Sequence, residues 1–307
     1  MQFTNTGPGA DALARWRTPG ISLLKDFQEC PIRGVSNTMH LKRVTVALIA
    51  LPLFYFYIAK LSPFYFLLLL VLVSVIAQAE FYSMYKTNRL LSLSGMLGGI
   101  LTLCAPCISM RFPGVESSHI SIQTSAFILI FMLIALIRLF TKNDPLATLK
   151  DIAPAVVGIF YIPNLLIAQW YLRLEGYEWI LFLYGCVYAA DSMAYYVGKG
   201  VGKRKLYSAV SPNKTIAGAV GSVAGGVIAS LILGTLLLAH KGMFELFVTG
   251  GVIGAVTIAG DLVESMFKRD ANIKDSGSLI PGHGGVLDKI DGVLFAGPVL
   301  YWITLFL

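Results

Sequence analysis

Nine apolar segments, at about 44–59, 63–83, 91–110, 121–140, 152–172, 178–198, 216–239, 244–266 and 293–307, are long enough to span or nearly span roughly 30 Å of hydrocarbon. Lipid offers no partner to a backbone N–H or C=O, so apolar segments of this length fold as helices. The expected fold class is all-α: a polytopic integral membrane protein with about nine transmembrane helices. Composition agrees, with 56% of the 307 residues hydrophobic and only 13% charged, far from the usage of soluble domains.

The net charge of +7 is explained by where the cations fall. Counted along the alternating loops, 20 of the 24 Lys and Arg lie on one side. The other side holds Lys60, Arg111, Arg173 and Lys241. This is the positive-inside pattern, and it puts the N-terminus in the cytoplasm with the loops near 84–90, 138–151, 199–215 and 267–292. The basic charge thus anchors the protein at a membrane, and no nucleic-acid partner is expected.

Residues 1–38, rich in Gly, Pro, Thr and Asn, read as a flexible leader or tail. Residues 39–175 carry few ionisable groups, among them Glu80 and Arg138 near cytoplasmic ends, and read as N-terminal membrane scaffold helices. Residues 176–307 place Asp191, Asp261 and Glu264 in or beside apolar runs and carry the longest basic loops, so this part is the expected catalytic half. Cys104 and Cys107 form a CxxC inside an apolar run with no further Cys or His nearby, and read as packing residues.

In "TIAGDLVESMFKRDANIKDSG", Asp261, Glu264, Ser265 and Lys268 fall on one helix face near the cytoplasmic end of the eighth span. Carboxylates there need a partner, either a salt bridge to Lys268 or a metal. Asp288 and Asp291 share a face at the start of the ninth span, where helix capping accounts for one of them. Together Asp261, Glu264, Asp288 and Asp291 offer the oxygen ligands a hard cation such as Mg2+ takes. In "PGHGG", Gly284 and Gly285 let backbone N–H groups approach a phosphate, and His283 has two readings, a donor to phosphate or proton carrier and an incidental loop histidine. "SPNKT" brings Ser211, Lys214 and Thr215 to the start of the seventh span, while Asp191 in the sixth points to the same end. A lysine and hydroxyls beside a helix N-terminus suit a triphosphate, whereas plain membrane anchoring accounts for part of the charge.

"SMFKRDANIKDSGSLIPGHGGVLDKID", residues 265–291, resembles the signature of the phosphatidate cytidylyltransferase (CDP-diacylglycerol synthase) family, through Ser265, Lys268, Arg269, Lys274, Asp275, Pro281, His283, Gly284, Gly285, Asp288 and Asp291. "GDLVES", "DSMAYYVGK" and "SPNKT" are similar to other blocks of that family, so the likeness covers about residues 185–292. Two positions depart from it: Lys289 replaces the usual Arg, keeping charge but losing the bidentate fork, and Ala217 stands where many members have Glu or Gln.

The resemblance implies transfer of CMP from CTP to phosphatidic acid, with Asp261 and Asp288 as principal Mg2+ ligands and Glu264 and Asp291 supporting them. It implies that Asp261, Asp288, Lys268 and His283 take part in catalysis. Asp191, Ser211, Lys214, Thr215, Arg269, Gly284, Gly285 and Lys289 would then bind substrate. It also allows a second, monovalent cation such as K+ and a homodimer. The compact chain points to a bacterial inner membrane with the site facing the cytoplasm. Two other readings stay open: a related lipid nucleotidyltransferase or lipid kinase, and an ion-coupled secondary transporter with Asp191, Asp261 and Glu264 along its path.

Overall fold

The structure is a computed structural model, described here for residues 52–111, 121–142, 144–279 and 284–306. Its helices are α1 (Pro63–Met84), α2 (Arg89–Arg111), α3 (Ile122–Thr141), α4 (Thr148–Tyr161), α5 (Pro163–Glu175), α6 (Tyr177–Val201), α7 (Ile216–Leu237), α8 (Met243–Asp270) and α9 (Leu287–Phe306). Among the described residues eight helical spans are long and apolar enough to cross a membrane, with α4 and α5 counted as one. The protein is an all-α integral membrane protein. The first apolar segment expected from sequence, 44–59, lies partly outside the described residues, and its remainder falls in the helical stretch 52–60. Residues 1–38 lie wholly outside them.

Local chemistry sets several boundaries. Pro63 opens α1 at its first position, where a missing N–H costs nothing. Ser121 caps α3 by accepting from Thr124 N at 3.1 Å. Pro163 divides the fifth apolar run into α4 and α5, because it cannot donate the N–H that a continuous helix requires there. Two short antiparallel strands, β1 (Lys205–Tyr207) and β2 (Ser211–Thr215), fold the basic loop before α7 into a hairpin that sequence alone reads as a loop.

Helices α6, α7, α8 and α9 pack successively against one another. Between α7 and α8 the contact is backbone to backbone, since a Cβ on Gly254 would meet Ser222 O at 2.5 Å. Ser222 Oγ donates to Gly254 O at 2.9 Å and Ser230 Oγ to Leu246 O at 2.6 Å. Small residues and buried hydroxyls are how helices associate where lipid removes the hydrophobic drive. Gly254→Val is therefore expected to lower stability in detergent by about 1–3 kcal/mol through overpacking. Gly251, whose Cβ would meet only Val227 at 3.7 Å, tolerates the same change. Thermal unfolding of the two variants side by side checks this, and equal midpoints would contradict it.

In the first half, α2 approaches α1 through the glycines of the third apolar run. Gln78 Nε2 donates to Gly95 O at 3.0 Å and to Tyr82 Oη at 2.9 Å, and Tyr82 Oη donates to Ala155 O at 3.2 Å. Arg138, buried at the end of α3, pairs with Asp151 of α4 at 2.7 Å. Cys104 and Cys107 are unpaired and half-buried in α2.

Candidate functional site

The C-terminal ends of α1, α6 and α8, the hairpin, and the N-terminal ends of α7 and α9 meet at one end of the bundle. Asp261 and Glu264 come from the last turns of α8, and Asp291 from the start of α9. One carboxylate oxygen from each lies within 4.8 Å of the others, the one such group of three acidic, His or Cys ligands among the described residues. Gly260 makes this convergence possible, because α9 runs against it at Asp291 O, where a Cβ would stand 2.5 Å away.

Two lysines partly balance the acids. Lys214 Nζ, at the end of β2, is 2.7 Å from Asp261 Oδ2. Lys268 Nζ bridges Glu264 Oε2 at 2.5 Å and Asp288 Oδ1 at 2.7 Å. The Glu264–Lys268 salt bridge weighed from sequence is thus present, while Asp261 pairs with Lys214. Asp288 stands beside the cluster of three with both oxygens engaged. Its Oδ2 accepts from Gly285 N at 2.8 Å, Ser276 N at 3.0 Å and Ser276 Oγ at 3.0 Å. Glu264 is almost wholly buried, and its Oε1 has no hydrogen-bond partner. Four carboxylates against two ammonium groups leave an excess of two negative charges, and every free donor is an oxygen. That set fits a hard divalent cation, and a buried carboxylate oxygen without a donor is costly unless something positive approaches it.

Asp261 and Lys214 also form one wall of a cleft of about 650 Å³ between α6, the hairpin and α7. Asp191, Tyr195, Lys199 and Lys205 line it, with Ser211 and Thr215. Thr215 is the N-cap of α7 and accepts from Gly218 N at 3.0 Å, so the positive end of a 22-residue helix faces the cleft. A Cβ on Gly218 would approach Ala194 O at 2.9 Å, which is how α6 and α7 come close enough to share that opening.

Other residues singled out by sequence lie around this centre. Arg269 donates to Val210 O at 3.2 Å and Ile273 O at 3.0 Å, tying the hairpin to the exit of α8. Gly284 takes φ of 87°, a left-handed conformation that a side chain resists. Gly285 is buried and Lys289 is exposed. His283, with Pro281 and Gly282, lies outside the described residues. Sequence reading missed Glu80 and Ser276. Sequence places Glu80 in the scaffold, yet its Oε1 accepts from Val286 N and its Oε2 from Leu287 N, both at 2.9 Å. No sequence signal points to Glu80; Gly277 and Gly285 mark only a close approach to their own segment.

Fold and site together define a membrane-embedded protein with an acidic, oxygen-rich centre opening onto a lysine-lined cleft. The chain belongs to the cytidylyltransferase family, whose model matches residues 41–307. It is 34% identical over 228 residues to the phosphatidate cytidylyltransferase of Bacillus subtilis, covering 71% of this chain and 81% of that protein. It is 29% identical over 300 residues to the enzyme of that name from Synechocystis, covering 88% and 98%. The Brucella abortus phosphatidate cytidylyltransferase is 40% identical over 147 residues, 47% of this chain and 54% of its own.

Proposed function

We propose that this protein transfers CMP from CTP to phosphatidic acid, giving CDP-diacylglycerol and pyrophosphate. The observation that carries this reading is the Lys214–Asp261 contact of 2.7 Å, where a cleft of nucleotide size meets the carboxylates of α8 and α9. In the reaction a phosphate oxygen of the lipid attacks the α-phosphorus of CTP. The bond from that phosphorus to the bridging oxygen of the β-phosphate breaks, and pyrophosphate leaves with the electron pair. Both reactants are anions, so bringing them together is the barrier to be lowered.

Asp261, Glu264 and Asp291 would hold Mg2+, with Asp288 beside them. When bound, the ion screens the two phosphates and stabilises charge developing on the transferring group. Lys214 and Lys268, released from their carboxylates, hold phosphate oxygens, and Ser211, Thr215 and the α7 N-terminus receive the nucleotide phosphates. The four acids then carry more charge than one divalent ion offsets, and a monovalent cation such as K+ would reduce that excess. No strong base is required, since a phosphate monoester is already largely ionised at neutral pH. His283 and Lys289 complete the phosphate surroundings of the glycine-rich segment. The lysine-rich side faces the cytoplasm of a bacterial inner membrane, where CTP and the lipid headgroup meet.

Purified protein supplied with labelled CTP and a panel of lipid phosphates tests this. Label is expected in CDP-diacylglycerol with phosphatidic acid and Mg2+. Transfer to a polyprenyl phosphate alone, or γ-phosphate transfer to a lipid, would redirect the assignment. Asp288→Asn keeps the side chain's shape but weakens its hold on Lys268 and Ser276. It is expected to reduce turnover on the order of 100-fold, which initial rates at saturating CTP measure; near-normal rates would remove Asp288 from the site.

A further inference from the structure

Glu80 stands one turn before the end of α1, where a carboxylate is unfavourable on two counts. It adds negative charge near the negative end of the helix dipole, and it borders an apolar span. Its compensation comes from the far end of the chain. Val286 N and Leu287 N donate to its two oxygens, each at 2.9 Å, and Ser276 Oγ approaches Oε2 at 3.2 Å. These amides lead into the first turn of α9, where N–H groups have no partner within the helix. Space is left for the carboxylate, because a Cβ on Gly277 would lie 2.8 Å from Glu80 Oε1 and one on Gly285 would collide with Oε2.

The contacts continue inward. Ser276 N donates to Asp288 while its hydroxyl, with one proton to give, reaches both Glu80 Oε2 and Asp288 Oδ2; Asp288 binds Lys268, and Lys268 binds Glu264. An unbroken polar chain thus runs from α1 through the glycine-rich segment and α9 to α8. We propose that Glu80 is a positioning residue for CMP transfer: it clamps the segment around Ser276 and Gly285 and the start of α9, fixing where Asp288 and Asp291 meet the carboxylates of α8. It acts through Ser276 and the backbone, and the proposal rests on the enzymatic reading above.

Glu80→Gln keeps the shape but turns an amide NH2 toward backbone donors. Its kcat per folded molecule is expected to fall on the order of 10- to 100-fold, as for groups that orient metal ligands. Half-saturating Mg2+ should rise alongside, while KM for CTP stays within about twofold. Glu80→Asp, which keeps the charge on a shorter arm, should recover part of the rate. In metal-free protein, hydrogen exchange at Val286 and Leu287 should speed up in Glu80→Gln while the interior of α6 keeps its protection. A merely structural role would lower only the yield of folded protein, and unchanged kcat, Mg2+ dependence and exchange would overturn the proposal. Should the Glu80 variants not accumulate, Gly277→Ala presses on the same carboxylate from the other side and is expected to give the same kinetic and exchange changes. Absence of CMP transfer by the unmodified protein would instead defeat the enzymatic reading, and exchange at 286 and 287 would still decide whether the clamp exists.

Discussion

Asp261→Asn is expected to lower Mg2+-dependent CMP transfer to phosphatidic acid on the order of a thousandfold, the equivalent of about 4 kcal/mol of transition-state stabilisation. The substitution keeps volume and shape but removes one of three carboxylate charges that converge within 4.8 Å. It also releases Lys214 from its 2.7 Å contact, so the lysine is free to hold phosphate while the ion loses a ligand. The loss should therefore appear mainly in kcat and in the Mg2+ requirement, with CTP binding weakened less. Exposed Glu175, the last residue of α5, serves as the control: Glu175→Gln should behave as the parent protein. Initial rates across a Mg2+ series read both effects, and turnover of Asp261→Asn close to the parent would remove it from the metal set.

Lys268→Met should unfold the site. Lys268 is largely buried and holds two carboxylates, Glu264 at 2.5 Å and Asp288 at 2.7 Å. Removing its charge leaves both acids facing each other without a cation. Breaking one partner out of a buried ionic group costs roughly 3–5 kcal/mol, which for a chain of this size lowers the melting midpoint by about 10 °C. Adding Asp288→Asn to Lys268→Met should recover part of that loss, because it removes the repulsion that the first change created. Thermal unfolding of the single and double variants in detergent measures both. A Lys268→Met protein that melts with the parent would show that the bridge contributes nothing.

Much of this architecture was legible in hydropathy, because a bilayer leaves a long apolar run few alternatives to a helix. Hydropathy fails where polar residues belong to the helix. The last span, expected from 293, begins at Leu287, since Asp288, Lys289 and Asp291 lower the local average while Lys268, Ser276 and Gly285 receive Asp288. The same blindness hides the break at Pro163, which leaves the apolar run unchanged. The site was legible in part for a different reason: helical spacing puts Asp261, Glu264 and Lys268 on one face, so the Glu264–Lys268 pair follows from i, i+4 geometry alone. The Lys214–Asp261 pair and the hairpin that carries Lys214 depend on contacts across the fold. Glu80 was hidden most completely. Its partners lie about two hundred residues along the chain, and no local pattern distinguishes it from any acid at the end of a membrane helix.

The central claim, that α8 and α9 share one divalent ion through Asp261, Glu264 and Asp291, is tested most directly by iron-mediated cleavage. Fe2+ replaces Mg2+ in the purified protein, ascorbate and peroxide generate radicals at the bound ion, and mass spectrometry locates the cuts. Cuts are predicted at two places, near 261–264 in α8 and near 288–291 in α9, both suppressed by excess Mg2+ and both lost in Asp291→Asn. Mg2+-sensitive cutting confined to one of these helices, or found at neither, would contradict a shared metal centre.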